Sequence, residues 1–246
     1  MAVHDFTSQR LYVSADLAEG ARIPCTPEQA SYLRTVLRLG EGAAILVFNG
    51  RDGEWRARLS EAGKRGAVLV AEERVRAQTG GPDLHYLFAP LKRARLDYMV
   101  QKATEMGAAR LVPVLTRHTV AERVNLERMR ANVIEAAEQC GVLCVPEVGE
   151  PVKLPALLAQ WDPARRLIFC DEEAPLASPL AALGGLPPGP LAVLIGPEGG
   201  FSPDERAMIR ARPEAIALSL GPRIMRADTA AVAALALVNA VLGDWR

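Results

Sequence analysis

The chain contains no hydrophobic run long enough to cross a membrane. A membrane-spanning helix needs about 20 consecutive apolar residues, and the apolar stretches of this 246-residue sequence are interrupted before that length. The first residues, Met1–Phe6, also lack the charged and then apolar pattern of a signal peptide. The sequence therefore predicts a cytoplasmic protein without a membrane partner.

Cysteine is scarce, and the spacing of the four cysteines does not match a common metal site. Cys140 and Cys144 form one CxxxC pair, but no second pair or nearby histidine completes a ligand set. Cys25 and Cys170, like that pair, lie in or beside apolar runs. We expect four buried free thiols and no bound metal.

Net charge is also absent, because 29 basic residues balance 29 acidic ones. This balance argues against a protein that binds nucleic acid through a strongly basic surface. The charge is nevertheless uneven, since nine basic and only four acidic residues lie between Lys92 and Arg130. A local basic stripe of this kind supplies phosphate contacts even when the total charge is zero.

Two glycine-rich loops follow apolar runs in the last quarter of the chain. The run Leu191–Ile195 ends at Gly196–Gly200. A second run, Ala215–Leu220, ends at Gly221 and Pro222. Neither loop has the spacing of a dinucleotide-binding or phosphate-binding motif. Strands that end in such loops are where open α/β sheets bind ligands, because backbone without Cβ atoms can lie against a flat ligand. The alternative is a pair of tight surface turns.

The hydrophobic pattern divides the chain into two parts. Residues 1–72 contain short strands and turns, with a hairpin signal at Asn49-Gly50, and predict a small β-barrel-like domain. From Leu84 onwards strands alternate with helices, which predicts a mostly parallel sheet with helices on both faces. Residues 78–82 form the best linker. The predicted strands are 44–48, 54–59, 67–72, 84–89, 110–115, 166–170, 191–195 and 215–220, and the predicted helices are 27–39, 96–106, 126–140, 229–242 and one that Ser202 caps.

At the two glycine-rich loops the chain resembles a known enzyme family. The motifs IGPEGGFSPDE at 195–205 and LSLGPRIMRADTA at 218–230 are similar to those of the RsmE family of the SPOUT class of methyltransferases. Members of that family are bacterial enzymes that methylate base nitrogen N3 of a uridine in 16S ribosomal RNA. Looser similarity extends the resemblance over most of the chain, at Tyr32–Leu39, Val47–Trp55, Lys92–Gly107 and Glu135–Gln139.

The resemblance implies the architecture of both parts. It implies an α/β fold, the SPOUT methyltransferase fold, over residues 82–246, with a trefoil knot in its C-terminal part. It also implies a small N-terminal PUA-like β-barrel domain over residues 1–74 that binds RNA. The family forms homodimers that pack knot against knot. The helix predicted at Thr229–Leu242 is apolar nearly all round, which suits burial on more than one side.

The resemblance further implies S-adenosylmethionine as the methyl donor, held on the two loops mainly by backbone groups. An apolar slot lined by backbone suits an adenine ring and a methyl group on sulfur. The positions that match the family's cofactor residues are Leu194, Ile195, Gly196, Glu198, Gly199, Gly200, Leu218, Leu220, Gly221, Ile224 and Met225.

Three charged residues at the loops are candidates for catalysis. Arg226 matches an arginine that the family places in its active site, and its guanidinium stays protonated, so it positions RNA or substrate. Methylation of uridine N3 requires removal of the N3 proton, and Glu198 and Asp228 are the candidate acceptors. Asp228 replaces the glutamate that is usual in the family, and its alternative role is to cap the following helix.

Two clusters of basic residues are candidates for RNA binding. Lys92, Arg93 and Arg95 lie at the start of a predicted helix, where positive charge opposes the helix dipole and thus favours a phosphate-binding role. The alternative is an ordinary solvated helix start. The second cluster, in the small domain, consists of Arg34, Arg38 and Arg51, which are equally compatible with surface decoration.

The function that follows is S-adenosylmethionine-dependent methylation of N3 of a specific uridine in 16S ribosomal RNA of the small ribosomal subunit. Two alternatives stay open: a non-catalytic RNA-binding or assembly protein on the same fold, and a ribose 2′-O-methyltransferase. One departure from the family pattern concerns Gln139, which is followed by Cys140 instead of the usual arginine. A contact made by that arginine is therefore missing or supplied elsewhere.

Overall fold

The computed structural model describes residue 5 and residues 7–61, 66–120, 123–175 and 177–245. The chain forms two compact units, one of residues 1–80 with 137–145 and one of residues 81–136 with 146–246. The N-terminal stretch without a signal-peptide pattern lies, apart from Asp5, outside the described residues. No helix in the described part is long and apolar enough to cross a membrane.

The first unit contains a five-stranded sheet. Its strands are β1 (Arg10–Tyr12), β2 (Arg22–Pro24), β3 (Ala44–Phe48), β4 (Glu54–Glu61) and β5 (Val68–Arg76). They lie in the order β1-β3-β4-β5-β2. The β3–β4 pair is the antiparallel hairpin predicted at Asn49-Gly50, and Gly50 adopts a positive φ of 80° there. Aliphatic side chains from these strands and the neighbouring helix form a buried core of their own.

The helix predicted over residues 27–39 is shorter than expected. An α-helix, α1 (Pro27–Ser31), is followed directly by a π-helical turn at Tyr32–Val36. Arg38 then adopts a φ of 55°, in the left-handed region, and this conformation ends the helical turn before Gly40 is reached. The prediction that Gly40 stops the helix therefore placed the end of the helix too late in the chain.

The second unit contains a parallel sheet. Its strands lie in the order β12-β10-β11-β6-β7-β8, with β9 beside β7, and every pairing is parallel, as predicted. The strands are β6 (Leu84–Phe88), β7 (Arg110–Leu115), β8 (Glu147–Val148), β9 (Val152–Lys153), β10 (Arg166–Cys170), β11 (Leu191–Ile195) and β12 (Ala215–Leu218). The helices are α2 (Arg93–Glu105), α3 (Leu126–Cys140), α4 (Leu154–Ala159), α5 (Pro179–Gly184), α6 (Pro203–Arg210) and α7 (Ala227–Val241), and the last four residues of α3 belong to the first unit.

The central strand β11 is apolar at every position because both of its faces are buried. All five residues of β11 are buried. Ala192 and Leu194 pack in a core cluster with residues of α4 and α6. Alternation of side chains along a strand places Val193 and Ile195 on the opposite face, and α7 contacts β11. A strand buried on both faces has this continuous apolar sequence.

The structure corrects several of the predicted boundaries. α2 begins at Arg93 instead of Leu96, and β12 ends at Leu218, two residues early. The short elements β1, β2, β8, β9, α4 and α5 were not predicted, because each spans six residues or fewer and carries too little periodicity.

The cysteines are all reduced, but they are not all buried. Cys25, Cys144 and Cys170 are partly buried, whereas Cys140 is exposed at the end of α3. The expectation of four buried thiols is wrong for Cys140, because it occupies the last, solvent-facing turn of its helix. Burial raises the pKa of the Cys170 thiol to about 12.

Candidate active site

One cavity opens where three neighbouring strands end. β10 lies between β11 and β12, and Cys170 at its end is paired with both Ile195 and Leu218. Because the strands are parallel, the loops that follow them meet at this edge of the sheet. The cavity has a volume of about 780 Å³ and is lined by Cys170, Asp171, Glu172, Ala174, Ile195–Gly200, Leu218–Ala227 and Ala230.

Nearly all of the predicted cofactor residues line this cavity. The exception is Leu194, whose side chain is fully buried in the core between the sheet, α4 and α6. It faces away from the cavity because adjacent strand residues point to opposite faces. The loop after β12 is open: Ile224 is fully exposed, and Gly221 adopts a φ of 102° with free space where a Cβ would lie.

The backbone of the loop after β11 requires glycine at two positions. Gly200 adopts a φ of 69°, in the left-handed region that favours glycine. A Cβ at Gly196 would lie 2.9 Å from the ring of Phe201, so the backbone reaches its position only without a side chain. Ser202 caps α6 as predicted, in a reciprocal capping box with Glu205.

A second loop, between β7 and α3, holds the glycine loop from outside. His118 Nδ1 lies 3.1 Å from the carbonyl oxygen of Gly199 and 3.0 Å from that of Gly200. The Arg117 N–H donates to the Glu205 carboxylate at 2.7 Å. Sequence reasoning assigned no role to His118 or Arg117, because nothing local connects them to residues about 80 positions later in the chain.

A buried ion network supports the wall formed by the loop after β10. The Asp171 side chain is 0% exposed and accepts from Arg206 Nε at 2.9 Å and from Arg210 Nη2 at 2.7 Å. Arg206 also pairs with Glu172 and Glu173 at 2.9 and 2.8 Å. The sequence signal for this wall is the acidic run, Asp171–Glu173, directly after strand β10.

Arg226 and Asp228 form an ion pair at the start of α7. Arg226 Nη2 lies 3.2 Å from Asp228 Oδ2, and the Thr229 N–H donates to Asp228 Oδ1 at 3.0 Å. The Arg226 hydrogen bond, assisted by the Thr229 N–H, lowers the pKa of Asp228 against the opposing effect of burial. The same pair raises the pKa of Arg226. The helix begins after Arg226 without a side-chain cap, so Asp228 lies in the first turn and is not the N-cap.

A smaller second cavity adjoins the first. It has a volume of about 340 Å³ and shares Pro197 and Glu198 with the larger cavity. Arg95 forms an ion pair with Glu198, and both side chains are about half exposed, at 43% and 52%. The remaining lining residues are Pro90, Leu91, Lys92 and Val120.

The other predicted RNA-binding residues are at the surface of their units. Arg93 is exposed at the start of α2 and lines neither cavity. In the first unit, Arg38 is exposed, Arg34 is partly buried, and Arg51 is exposed and pairs with Asp16 at 2.8 Å. In the described part of the chain, no group of three or more histidine, cysteine or acidic residues is arranged to hold a metal ion.

Comparison with known proteins defines the class. The family described as the RNA methyltransferase domain matches residues 79–239, and the family described as the RNA methyltransferase PUA domain matches residues 26–72. The chain is therefore a member of the RNA methyltransferases, with an α/β methyltransferase unit and a small N-terminal PUA-like unit.

Its relatives define the family more closely. The chain is 30% identical to ribosomal RNA small subunit methyltransferase E of Rickettsia conorii, over 94% of both chains. It shares 27% identity and a TM-score of 0.84 with a methyltransferase of Legionella pneumophila solved with S-adenosylmethionine, covering 96% of this chain and 99% of that one. The fold also matches ribosomal RNA small subunit methyltransferase E of Neisseria gonorrhoeae, with a TM-score of 0.85, 24% identity and 97% and 100% coverage. The chain belongs to the ribosomal RNA small subunit methyltransferase E family, the RsmE family, which confirms the resemblance inferred from its two loops.

Proposed function

We propose that this protein transfers the methyl group of S-adenosylmethionine to N3 of a uridine in 16S ribosomal RNA. The observation that carries the proposal is the cavity at the ends of β10, β11 and β12, which the family's two loop motifs line almost completely. Relatives named for methylation of small-subunit ribosomal RNA, and a neighbour solved with the cofactor, support the donor and the RNA class.

The residues of the larger cavity fit the proposed cofactor. Its volume of about 780 Å³ lies in the range typical of sites for ligands of this size. Apolar side chains such as Ile195 and Leu218 suit an adenine ring, and glycines leave backbone groups accessible. The carboxylates of Glu172 and Glu198 suit the positive charge of the donor's amino and sulfonium groups.

The chain's own residues orient the acceptor and manage its proton. When bound, S-adenosylmethionine supplies an electrophilic methyl group. A carboxylate of the site would accept the N3 proton, which would leave the N3 electron pair free for the methyl group that the donor would supply. Arg226, held by Asp228, keeps its charge and is suited to contact an RNA phosphate or the uracil oxygen that gains negative charge.

We also propose the finer architecture that the family implies. Residues 1–74 form the RNA-binding domain, residues 82–246 the methyltransferase domain, and the loops around β11 and β12 the trefoil knot. The match of residues 79–239 to the RNA methyltransferase domain family supports the proposal of a knot. Cofactor contacts at Leu194 would be limited to its backbone, because its side chain is in the core.

The active form that we propose is a homodimer acting on the small ribosomal subunit in the cytoplasm. Support for the dimer comes from α7, on which Val232, Ala233, Ala236 and Leu237 are only half-buried. Packing of a second copy of the chain against this apolar, half-buried face of α7 would stabilise the helix. The cytoplasm is proposed because the RNA substrate is there.

Two measurements test the function. We expect a calorimetric titration with S-adenosylmethionine to show binding, whereas no heat at high protein concentration would favour a non-catalytic RNA-binding protein. Mass spectrometry of nuclease-digested 16S ribosomal RNA should show one 3-methyluridine that disappears on gene deletion and returns when the purified protein and cofactor are added. Loss of a 2′-O-methylated nucleotide instead would assign ribose chemistry.

A further inference from the structure

We propose that the smaller cavity receives the target uridine with its 5′-phosphate, and that Glu198, not Asp228, accepts the N3 proton. This inference rests on the proposed methyl transfer and assigns the second half of its site. The geometry points to it because Glu198 and Pro197 form a wall common to both cavities. A group bound in the smaller cavity therefore lies beside a group bound in the larger one.

The lining of the smaller cavity has the chemistry of a nucleotide. Pro90, Leu91 and Val120 provide apolar surface for a flat base, and Lys92 and Arg95 provide two cations for a phosphate. An enzyme that modifies a base must take it out of the stack and hold it in a pocket of this kind. The volume of about 340 Å³ is at the lower end of the range for small-molecule sites, which suits a single nucleotide.

Asp228 is already committed to other partners. Its Oδ2 accepts from Arg226 and its Oδ1 accepts from the Thr229 N–H, and its side chain is 10% exposed. These hydrogen bonds hold the pKa of Asp228 below its ordinary value, so its carboxylate is a weak proton acceptor. Its contribution is to position Arg226.

Glu198 is differently placed, because its carboxylate is half exposed and is paired with Arg95 at the boundary between the cavities. A phosphate entering the smaller cavity competes with Glu198 for the Arg95 guanidinium. When Arg95 turns to the phosphate, a Glu198 oxygen becomes available to the N3–H of the base. The proton passes from N3 to Glu198 as N3 bonds to the methyl carbon and the carbon–sulfur pair stays on sulfur. Glu198 later returns the proton to solvent.

The first test closes the smaller cavity without touching the larger one. Val120→Trp places a large side chain at a lining residue that is 66% exposed, so folding is preserved. Met208→Trp, on the exposed side of α6 and lining neither cavity, is the matched control. The probes are S-adenosylmethionine by calorimetry, uridine 5′-monophosphate by ligand-observed NMR in the presence of S-adenosylhomocysteine, and single-turnover methylation of small subunits.

We expect Val120→Trp to keep S-adenosylmethionine affinity within about twofold, to lose uridine monophosphate binding, and to lower single-turnover methylation by about a hundredfold or more. Met208→Trp should match the wild type in all three. Normal nucleotide binding and methylation by Val120→Trp would overturn the assignment while leaving the proposed function intact. A wild-type protein that binds cofactor but forms no 3-methyluridine would instead overturn the proposed function.

The second test separates the two carboxylates. Glu198→Gln should lower the single-turnover rate of methylation by about 10²- to 10⁴-fold, the usual contribution of a general base. The remaining rate of this variant should rise about tenfold per pH unit, because hydroxide or spontaneous ionisation then removes the N3 proton in place of the carboxylate. Asp228→Asn should reduce activity through Arg226 and keep the wild-type pH profile. If Asp228→Asn acquires the steep pH dependence and Glu198→Gln does not, the proton acceptor is Asp228 and the inference is wrong.

Discussion

His118 Nδ1 faces the carbonyl oxygens of Gly199 and Gly200 at 3.1 and 3.0 Å. Both partners are acceptors, so Nδ1 carries the hydrogen and donates to the loop that lines the larger cavity. The loop between β7 and α3 thereby fixes the carbonyls of the glycine loop, leaving the opposite side of that loop to face the cavity.

The His118 contact predicts a graded effect of substitution. His118→Asn retains an N–H donor near the position of Nδ1 and should keep S-adenosylmethionine affinity within about twofold, whereas His118→Asp places a carboxylate against two carbonyls and should weaken it about tenfold or more. Calorimetry measures both affinities, and equal affinity in the two variants would show that the contact does not shape the site.

Gly199 should not accept a branched side chain. Its φ is not in the left-handed region, unlike that of Gly200, so the expected effect is steric: a Cβ at Gly199 would lie 3.3 Å from the Cβ of His118. We expect Gly199→Val to displace the loop and abolish cofactor binding while the protein still folds, because the residue is exposed.

The matched control for this prediction is Gly185→Val, where a Cβ has free space within 4 Å and the backbone is right-handed. Thermal unfolding monitored by circular dichroism establishes that both variants fold. Cofactor affinity of Gly199→Val within a few-fold of the control would contradict the steric argument.

Removal of one partner of the buried Asp171–Arg206 pair should lower the free energy of unfolding strongly. Arg206→Met leaves a carboxylate of 0% exposure with only Arg210 as cation, and removal of one partner of a buried pair costs about 3–5 kcal/mol. Arg56→Met, which breaks an exposed pair with Glu73 in the first unit, should cost about 1 kcal/mol or less. Urea unfolding measures both values, and similar costs would show that burial does not distinguish the pairs.

His85 should make stability depend on pH. Burial, with the nearby Arg165 charge, lowers the pKa of His85 from its usual 6.5 to about 4. The unfolded chain therefore binds a proton that the folded chain does not, so the stability from His85 is complete above about pH 6.5 and is lost as the pH falls towards 4.

His85→Gln should remove this dependence, and the difference in unfolding free energy from the wild type should change across the same interval. His118→Asn, a substitution of an exposed histidine, serves as the comparison. A wild-type stability curve that remains parallel to that of His85→Gln between pH 6.5 and pH 4 would contradict the burial argument.

The sequence predicted strands and helix caps, which depend on neighbouring residues, but it did not predict contacts between residues that are distant in the chain. The strands 110–115, 166–170 and 191–195 were predicted to the residue, because each is an apolar run with a clear end. The Ser202 cap followed from local spacing. Arg95 and Glu198, in contrast, are 103 positions apart, and their pairing depends on the order of strands in the sheet.

The candidate site shows the same division. Ten of the eleven residues predicted to bind the cofactor line one cavity. The side chain of Leu194 lies in the core instead, because the apolar run does not show which face of the strand each side chain takes. Asp171, Arg206 and His118 were missed because their roles arise from contacts between loops. Loops of this kind have no periodicity from which such contacts can be inferred.

The last prediction concerns how a chain of zero net charge holds RNA. Without general electrostatic attraction, binding depends on local cations, and each phosphate contact adds to the salt dependence of affinity. Arg38 and Arg51 are exposed in the first unit. The double variant Arg38→Glu with Arg51→Glu should raise the KM for small ribosomal subunits about tenfold or more and flatten its salt dependence, while S-adenosylmethionine affinity is unchanged.

Arg74→Glu is the control for the single variants Arg38→Glu and Arg51→Glu, because it changes the charge by the same amount and Arg74 is exposed in the same unit. Small subunits should be methylated far better than a short oligonucleotide that carries the target uridine, since an oligonucleotide offers few phosphates beyond the site itself. The double variant should therefore lose activity on particles and change little on the oligonucleotide. If Arg74→Glu raises the KM as much as Arg38→Glu or Arg51→Glu alone, the effect is one of total charge, and Arg38 and Arg51 are not specific RNA contacts.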